Sequence, residues 1–433
     1  MITSAFVNIW NRRAGAVSWD SETGLAAFEF DPSFLRSGLD IAPFKMPAAE
    51  AQGRIYTFPE LRNSQTFKGL PGLLSDLLPD KFGNALINEW LARHGRAPDS
   101  LNPVELLCFI GTRGMGAIEI EPAVPKPDKR TTSLEISSLV DAAERILSGR
   151  KDFRTNLTDE NEKAMVDILK IGSSAGGARA KAVIAYNEKT GEVRSGQTVA
   201  PKGFAHWLIK FDGVTDKQFG ESSGYGKVEM AYHFMAVDCG IDMTECRIYE
   251  ENGRSHFMTK RFDRLGSDEK LHVQTFCGMR HFDFNDITSY SYEQLFETMR
   301  FLELPYPQAE QLYRRMVFNV IMKNCDDHTK NFAFIMDSTG KWSLSPAYDI
   351  CHAYRPGSEW VSRHSLSING KRDNITKNDL LSVAGIMNIR KAADIISQIS
   401  SVSKNWNKYA QKTAVEKKLA DAIVKTLLTE LKN

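Results

Sequence analysis

Short alternating apolar runs open the chain, and apolar positions at helical spacing dominate its end. Phe6 to Trp10, Ala14 to Trp19 and Ala26 to Phe30 are short, aromatic and β-branched. Asn-Arg-Arg and Ser-Glu-Thr-Gly turns separate them, which predicts three strands. From Leu77 the period becomes helical: Asp80 is placed to cap a helix through Ile87, Trp90 and Leu91 that Gly95 stops. A second helix is expected over Val104 to Ile110. The proline- and charge-rich stretch Pro122 to Arg130 then reads as a linker.

Amphipathic helices are expected near Ser133 to Leu147 and Asp159 to Leu169, followed by strands at Ala182 to Tyr186 and Trp207 to Phe211. Val228 to Cys239 has helical spacing and ends at Gly240, while Arg247 to Tyr249 and Ser255 to Thr259 flank a Glu-Glu-Asn-Gly turn. Beyond Tyr292 helices dominate, interrupted by one hairpin from Phe332 to Pro346. The plan is a small mixed N-terminal unit, a strand-rich middle and a helical C-terminal third, an α+β chain with boundaries expected at 1–130, 131–262 and 263–433.

Composition narrows the function classes. The 433 residues are 42% hydrophobic and 25% charged with a formal net charge of +1, so no global field draws nucleic acid or anionic lipid. No apolar run approaches the roughly twenty residues of a membrane span, and the first residues do not read as a signal peptide. A cytoplasmic protein is expected. The six scattered cysteines contain no C-x-x-C pair, so they are expected to be reduced and mostly buried rather than zinc ligands.

Asn324-Cys-Asp-Asp-His-Thr-Lys-Asn331 carries the clearest chemistry. A helix through Tyr313 to Met322 presents Met316, Val317, Val320 and Ile321 to a core and then ends in a polar run. The hairpin that follows returns the chain at Pro346-Ala-Tyr-Asp-Ile350, which brings Asp349 close to Asn331. Phosphoryl transfer needs such a set: a carboxylate for the hydroxyl, with an amide oxygen and a second carboxylate for magnesium on the phosphates. Asp326 precedes Asn331 by five residues, the spacing of catalytic Asp and metal-binding Asn in protein kinases. Asp349 then matches the second metal ligand. Lys330 is placed to neutralise the transferring phosphoryl group, with His328 alongside. Asp327, one residue off that spacing, is the rival base.

Gly172-Ser-Ser-Ala-Gly-Gly-Ala-Arg-Ala-Lys181 offers backbone N–H groups to phosphate, and Arg179 and Lys181 add charge. It lacks the Walker A spacing. Lys210, on the Trp207 to Phe211 strand, either points to solvent or meets phosphate as the strand lysine of kinases does, with Glu229 as its possible ion-pair partner.

Together these motifs resemble the HipA family, the kinase toxins of bacterial toxin–antitoxin pairs. The run D-x-H-x-K-N stands here as Asp326 to Asn331, Y-D-I as Tyr348-Asp349-Ile350, and S-x-x-G-A-x-x-K as Ser174 to Lys181. Arg261-Phe262-Asp263-Arg264 is similar to the family's R-F-D-R, with Lys260 where a glutamate often precedes it. Gly72 to Gly83, Gly111 to Ala117 and Leu366 to Lys371 are similar to other family motifs.

The resemblance implies a bilobal protein-kinase-like fold with a mixed N-terminal subdomain, a strand-rich ATP lobe and a helical C-terminal lobe. It implies ATP and Mg2+ as cofactors, with an ATP site of Gly176, Gly177, Ala178, Arg179, Ala180, Lys181, Lys210, Lys260, Arg261, Phe262, His328, Asn331, Tyr348 and Asp349. Backbone groups of Lys260 and Phe262 would meet adenine. Autophosphorylation would fall on Ser174, or on Ser173 beside it. The partners implied are a DNA-binding antitoxin of the HipB type, promoter DNA mainly through that complex, and a protein substrate such as an aminoacyl-tRNA synthetase or other translation factor. A small-molecule kinase and a non-catalytic scaffold for an antitoxin–DNA complex are the alternatives.

Overall fold

In the computed structural model, residues 2–123, 134, 136–148, 179–196, 199–216, 220–221, 224–266 and 269–432 are described. The three N-terminal strands form as Ser4–Ile9, Arg12–Asp20 and Leu25–Phe30, each antiparallel to the next. Ile55–Tyr56 and Ile118–Glu121 extend this sheet at either edge. At two and four residues, neither is long enough for alternation to register in the sequence. Val7, Ile9, Val17 and Phe28 pack from the sheet onto Leu73, Leu74 and Leu107.

Asp80 caps the Lys81–Arg93 helix as expected, its carboxylate accepting the Gly83 N–H at 2.7 Å. The helix serves two cores. Ile87 and Leu91 pack with the N-terminal sheet, whereas Phe82 and Leu86 enter the core of the middle sheet with Trp207, Ile209 and Met258. Each pair is spaced four apart and the pair Ile87 and Leu91 starts one residue after the pair Phe82 and Leu86 ends, so they lie on different faces of one helix. Each buried side chain is worth roughly 1.5–3 kcal/mol, enough to fasten the N-terminal subdomain to the lobe beside it.

The middle sheet is wholly antiparallel, in the order Cys246–Glu251, Arg254–Lys260, Ala205–Lys210, Lys181–Tyr186, Val193–Ser195. The Tyr225–Asp238 helix crosses it, and Gly226 permits the approach: a methyl there would press on the Ser255 carbonyl. The C-terminal lobe packs Tyr292–Phe301, Tyr306–Ile321, Lys377–Met387 and Ala392–Ser403 around Tyr313, Met316, Val317, Val320 and Trp406. The expected hairpin forms as Ala333–Met336 and Trp342–Leu344. Contrary to the sequence pattern, a third strand, His272–Thr275, pairs with it from far up the chain. The helix near Ser133 appears as Ile136–Ser148, while Asp159 to Leu169 and residues 124–130 lie outside the described residues. All six cysteines are free thiols, and five are buried.

Candidate functional site

Lys210 ends the central strand of the middle sheet, and the helix that Gly226 draws in sets Glu229 against it. The Lys210 ammonium lies 2.5 Å from Glu229 Oε1 and also bonds to Asp349 Oδ1. Burial would drive the proton off this lysine. The Asp349 and Glu229 carboxylates outweigh burial and hold its pKa above the ordinary value. The solvent-pointing alternative for Lys210 is thereby removed.

Below it, the Tyr306–Ile321 helix ends in the polar loop. The Asn331 Nδ2 donates to the Asp326 carbonyl at 2.5 Å, so its Oδ1 remains as the atom available to a cation. The Tyr348 hydroxyl donates to the Lys330 carbonyl at 2.7 Å, and the hairpin thus returns Tyr348-Asp349 to the loop as its length demanded. Asp349 itself has φ +52°, the left-handed region that a non-glycine residue holds at a cost of about 1–3 kcal/mol. Burial pushes its carboxyl up, but the Lys210 and Lys181 ammoniums prevail and keep it below the usual range.

Asp326 and Asp327 part company here. The Asp326 side chain is 50% exposed, with His328 Nε2 at 3.7 Å. Its pKa is raised by partial burial, with His328 opposing and the like charges of Asp349 and Asp327 adding to it. Asp327 is sealed. It accepts from the Tyr292 hydroxyl, the His364 Nδ1 and the Ser365 N–H, each at 2.8 Å. Asn319 and Asn324 continue that network behind the loop. A carboxylate with three fixed donors has no room to take a proton from a substrate, so the geometry favours Asp326 over its neighbour.

The remaining residues singled out by sequence fall in several places. The Arg179 guanidinium covers the Tyr225 ring, and the Ala180 carbonyl accepts the Phe211 N–H at 3.0 Å. Lys181 pairs with Asp80 at 2.8 Å. Lys330 lies 4.7 Å from the Phe284 ring centroid, and Phe262 stacks at a tilt on Tyr348. The Lys260 ammonium reaches Glu245 at 3.3 Å, while its N–H is taken by the Glu245 carbonyl. The Arg261 side chain turns away to Asp263 and the Gly114 carbonyl. Gly176, Gly177, Ala178, Ser173 and Ser174 lie outside the described residues.

Sequence reasoning missed Asp263. It binds Arg261, Arg264 at 2.6 Å and the Gly116 N–H at 2.7 Å, with Arg264 also on the Gly114 and Gly116 carbonyls. The R-F-D-R run is therefore a clasp on the N-terminal subdomain. Two motifs far apart in sequence gave the only signal, and neither names the other.

An amide oxygen and a carboxylate near one another are a hard, oxygen-only donor set of the kind magnesium accepts, with water and phosphate completing its shell. Among the described residues no three His, Cys, Asp or Glu side chains form a ready-made metal cluster.

Residues 5–121 match the HipA N-terminal domain and residues 173–432 the HipA-like C-terminal domain. The chain belongs to the HipA family. Its fold is similar to that of HipA from Shewanella oneidensis MR-1, solved in complex with HipB and operator DNA. The TM-score is 0.68 at 16% identity, over 97% of this chain and 94% of that one. The family's bilobal, protein-kinase-like architecture is thus present here. Two curated Sinorhizobium fredii relatives are both named as kinases. Y4mE is 22% identical over 58% of this chain and 57% of its own length, and Y4dM is 23% identical over 61% and 67%. This HipA-family chain spans little more than half the length of Y4mE. Among its described residues no helix is long and apolar enough to cross a membrane.

Proposed function

We propose that this chain is an ATP-dependent serine/threonine-protein kinase of the HipA toxin type. The observation that carries the reading is the Lys210 ammonium held between Glu229 and Asp349. In protein kinases a strand lysine paired to a helix glutamate marks an assembled ATP site.

In this reading the adenine meets the Lys260 carbonyl and the Phe262 N–H, since the Lys260 N–H is already engaged. Tyr348 closes that end of the cleft beside Phe262. Lys210 and Lys181 face the phosphates, with Arg179 and Ala180 beside them, and the same role is assigned to Gly176, Gly177 and Ala178. Asn331 and Asp349 would hold magnesium, which would supply charge neutralisation at the phosphate oxygens. The substrate hydroxyl attacks the γ-phosphorus as its proton passes to Asp326. The bond to the β,γ-bridging oxygen breaks, and ADP leaves with the electron pair. Lys330 and His328 balance charge on the moving phosphoryl group.

The same reading assigns autophosphorylation to Ser174, with Ser173 as the alternative. A HipB-type antitoxin is the expected partner, with promoter DNA reached through it and a translation factor such as an aminoacyl-tRNA synthetase as substrate. Purified chain, dephosphorylated and incubated with labelled ATP and Mg2+, is expected to label itself or a protein in extract. Asp326→Ala is expected to lose the label, and Ser174→Ala to lose the self-label alone. Wild type that neither binds MgATP nor labels any protein would defeat the reading.

A further inference from the structure

The N-terminal subdomain reaches the phosphate end of the cleft. Lys181 and Lys210 are directly opposed in the antiparallel ladder, so their side chains leave the same face of the sheet. Two ammoniums side by side repel one another, and each needs its own carboxylate to stay charged and in place. Lys210 has Glu229 and Asp349. Lys181 has Asp80 at 2.8 Å, and both side chains of that pair are nearly sealed, at 3% and 10% exposed. Asp80 comes from the start of the Lys81–Arg93 helix, whose Phe82 and Leu86 are anchored in the core under Lys181's sheet.

We infer that Asp80 is a positioning residue of the phosphotransfer site, contributed by the N-terminal subdomain to hold the Lys181 ammonium beside Lys210 for the nucleotide phosphates. The inference rests on the kinase reading and extends it: the subdomain completes the ATP site instead of serving only as a surface for partners. A second acid from the same segment, Asp76, accepts the Thr275 N–H and hydroxyl, each at 2.7 Å. The Lys330 charge acts on both Asp76 and Asp80. Lys181 and Lys330, two of the cationic residues of the proposed transfer site, thus lie within the field of this one segment.

A purely structural role is separable by experiment, because asparagine caps a helix as well as aspartate but carries no charge. Phosphotransfer by the full chain would be measured against MgATP concentration for wild type, D80N, D80E, K181M and D80N/K181M, with a thermal melt of each. D80N is expected to raise KM for ATP by roughly ten- to hundredfold. Its kcat is expected to change far less. D80E, which restores the charge, is expected to recover part of the loss, and the double variant to be no worse than K181M. D80N with a KM within twofold of wild type would overturn the inference while leaving an active wild type, and so the kinase, intact. Should D80N not fold, the double variant carries the test, and a KM for ATP equal to that of wild type would overturn it. A wild type without phosphotransfer or MgATP binding would instead remove the kinase reading itself.

Discussion

The loop between Asn324 and Asn331 has two sides, and adjacent aspartates divide them. On the cleft side Asp326 keeps half of its side chain open and makes no tight bond. On the inner side Asp327 is fixed by Tyr292, His364 and Ser365 and is fully buried. Residue type is the same and backbone positions differ by one. The number of donors each carboxylate meets separates a group able to exchange a proton from one that serves as a rivet. A carboxylate in a catalytic sequence run is therefore not evidence of chemistry until its partners are counted.

Exchanging the two aspartates' roles is the severest test. Asp326→Asn is expected to lower phosphotransfer about 10²–10⁴-fold with an unchanged thermal midpoint. An active variant would move the base elsewhere. Asp327→Ala strands a buried, charged His364 and is expected to cost about 3–5 kcal/mol of stability, read by urea unfolding. A loss under 1 kcal/mol would show that the inner network carries little.

The same network makes a pH prediction. Burial pushes the His364 pKa down, but Asp327 overrides it and brings the value to about 10, above the ordinary 6.5. A group raised on folding stabilises fully below its unfolded pKa and loses that contribution as pH rises through its folded one. Stability should therefore decline between about pH 6.5 and 10, and H364Q should flatten that decline. Equal slopes for the two proteins would remove His364 from the account. The smallest effect belongs to the exposed Lys260–Glu245 pair, where K260A is expected to change stability by less than about 0.5 kcal/mol.

Local features were legible in the sequence. Asp80 announced a helix start, the polar run after Ile321 announced the loop, and the hairpin length placed Tyr348-Asp349 back beside Lys330 and Asn331. Relations across the chain were hidden. Nothing near His272 shows that it pairs with Met336, and nothing near Asp80 shows that its free oxygen meets Lys181. Glu229 was one glutamate among many until Gly226 was seen to draw its helix onto the sheet. Asp263 likewise needed Gly114 and Gly116, some 150 residues away, to reveal its task. Short-range rules read caps and turns; ion pairs between subdomains are set by packing that no local window contains.

Gly72 and Gly278 face each other where the N-terminal subdomain meets the C-terminal lobe. A methyl on Gly72 would strike the Gly278 carbonyl, and one on Gly278 would strike Asp76. Two bare backbones and the acid between them therefore form a single joint whose halves lie about 200 residues apart in the gene. Recombination that exchanged the N-terminal subdomain between relatives would have to bring a matching glycine, or a reshaped lobe, along with it. The subdomain is not a detachable module, and its evolutionary fate is tied to that of the lobe it touches.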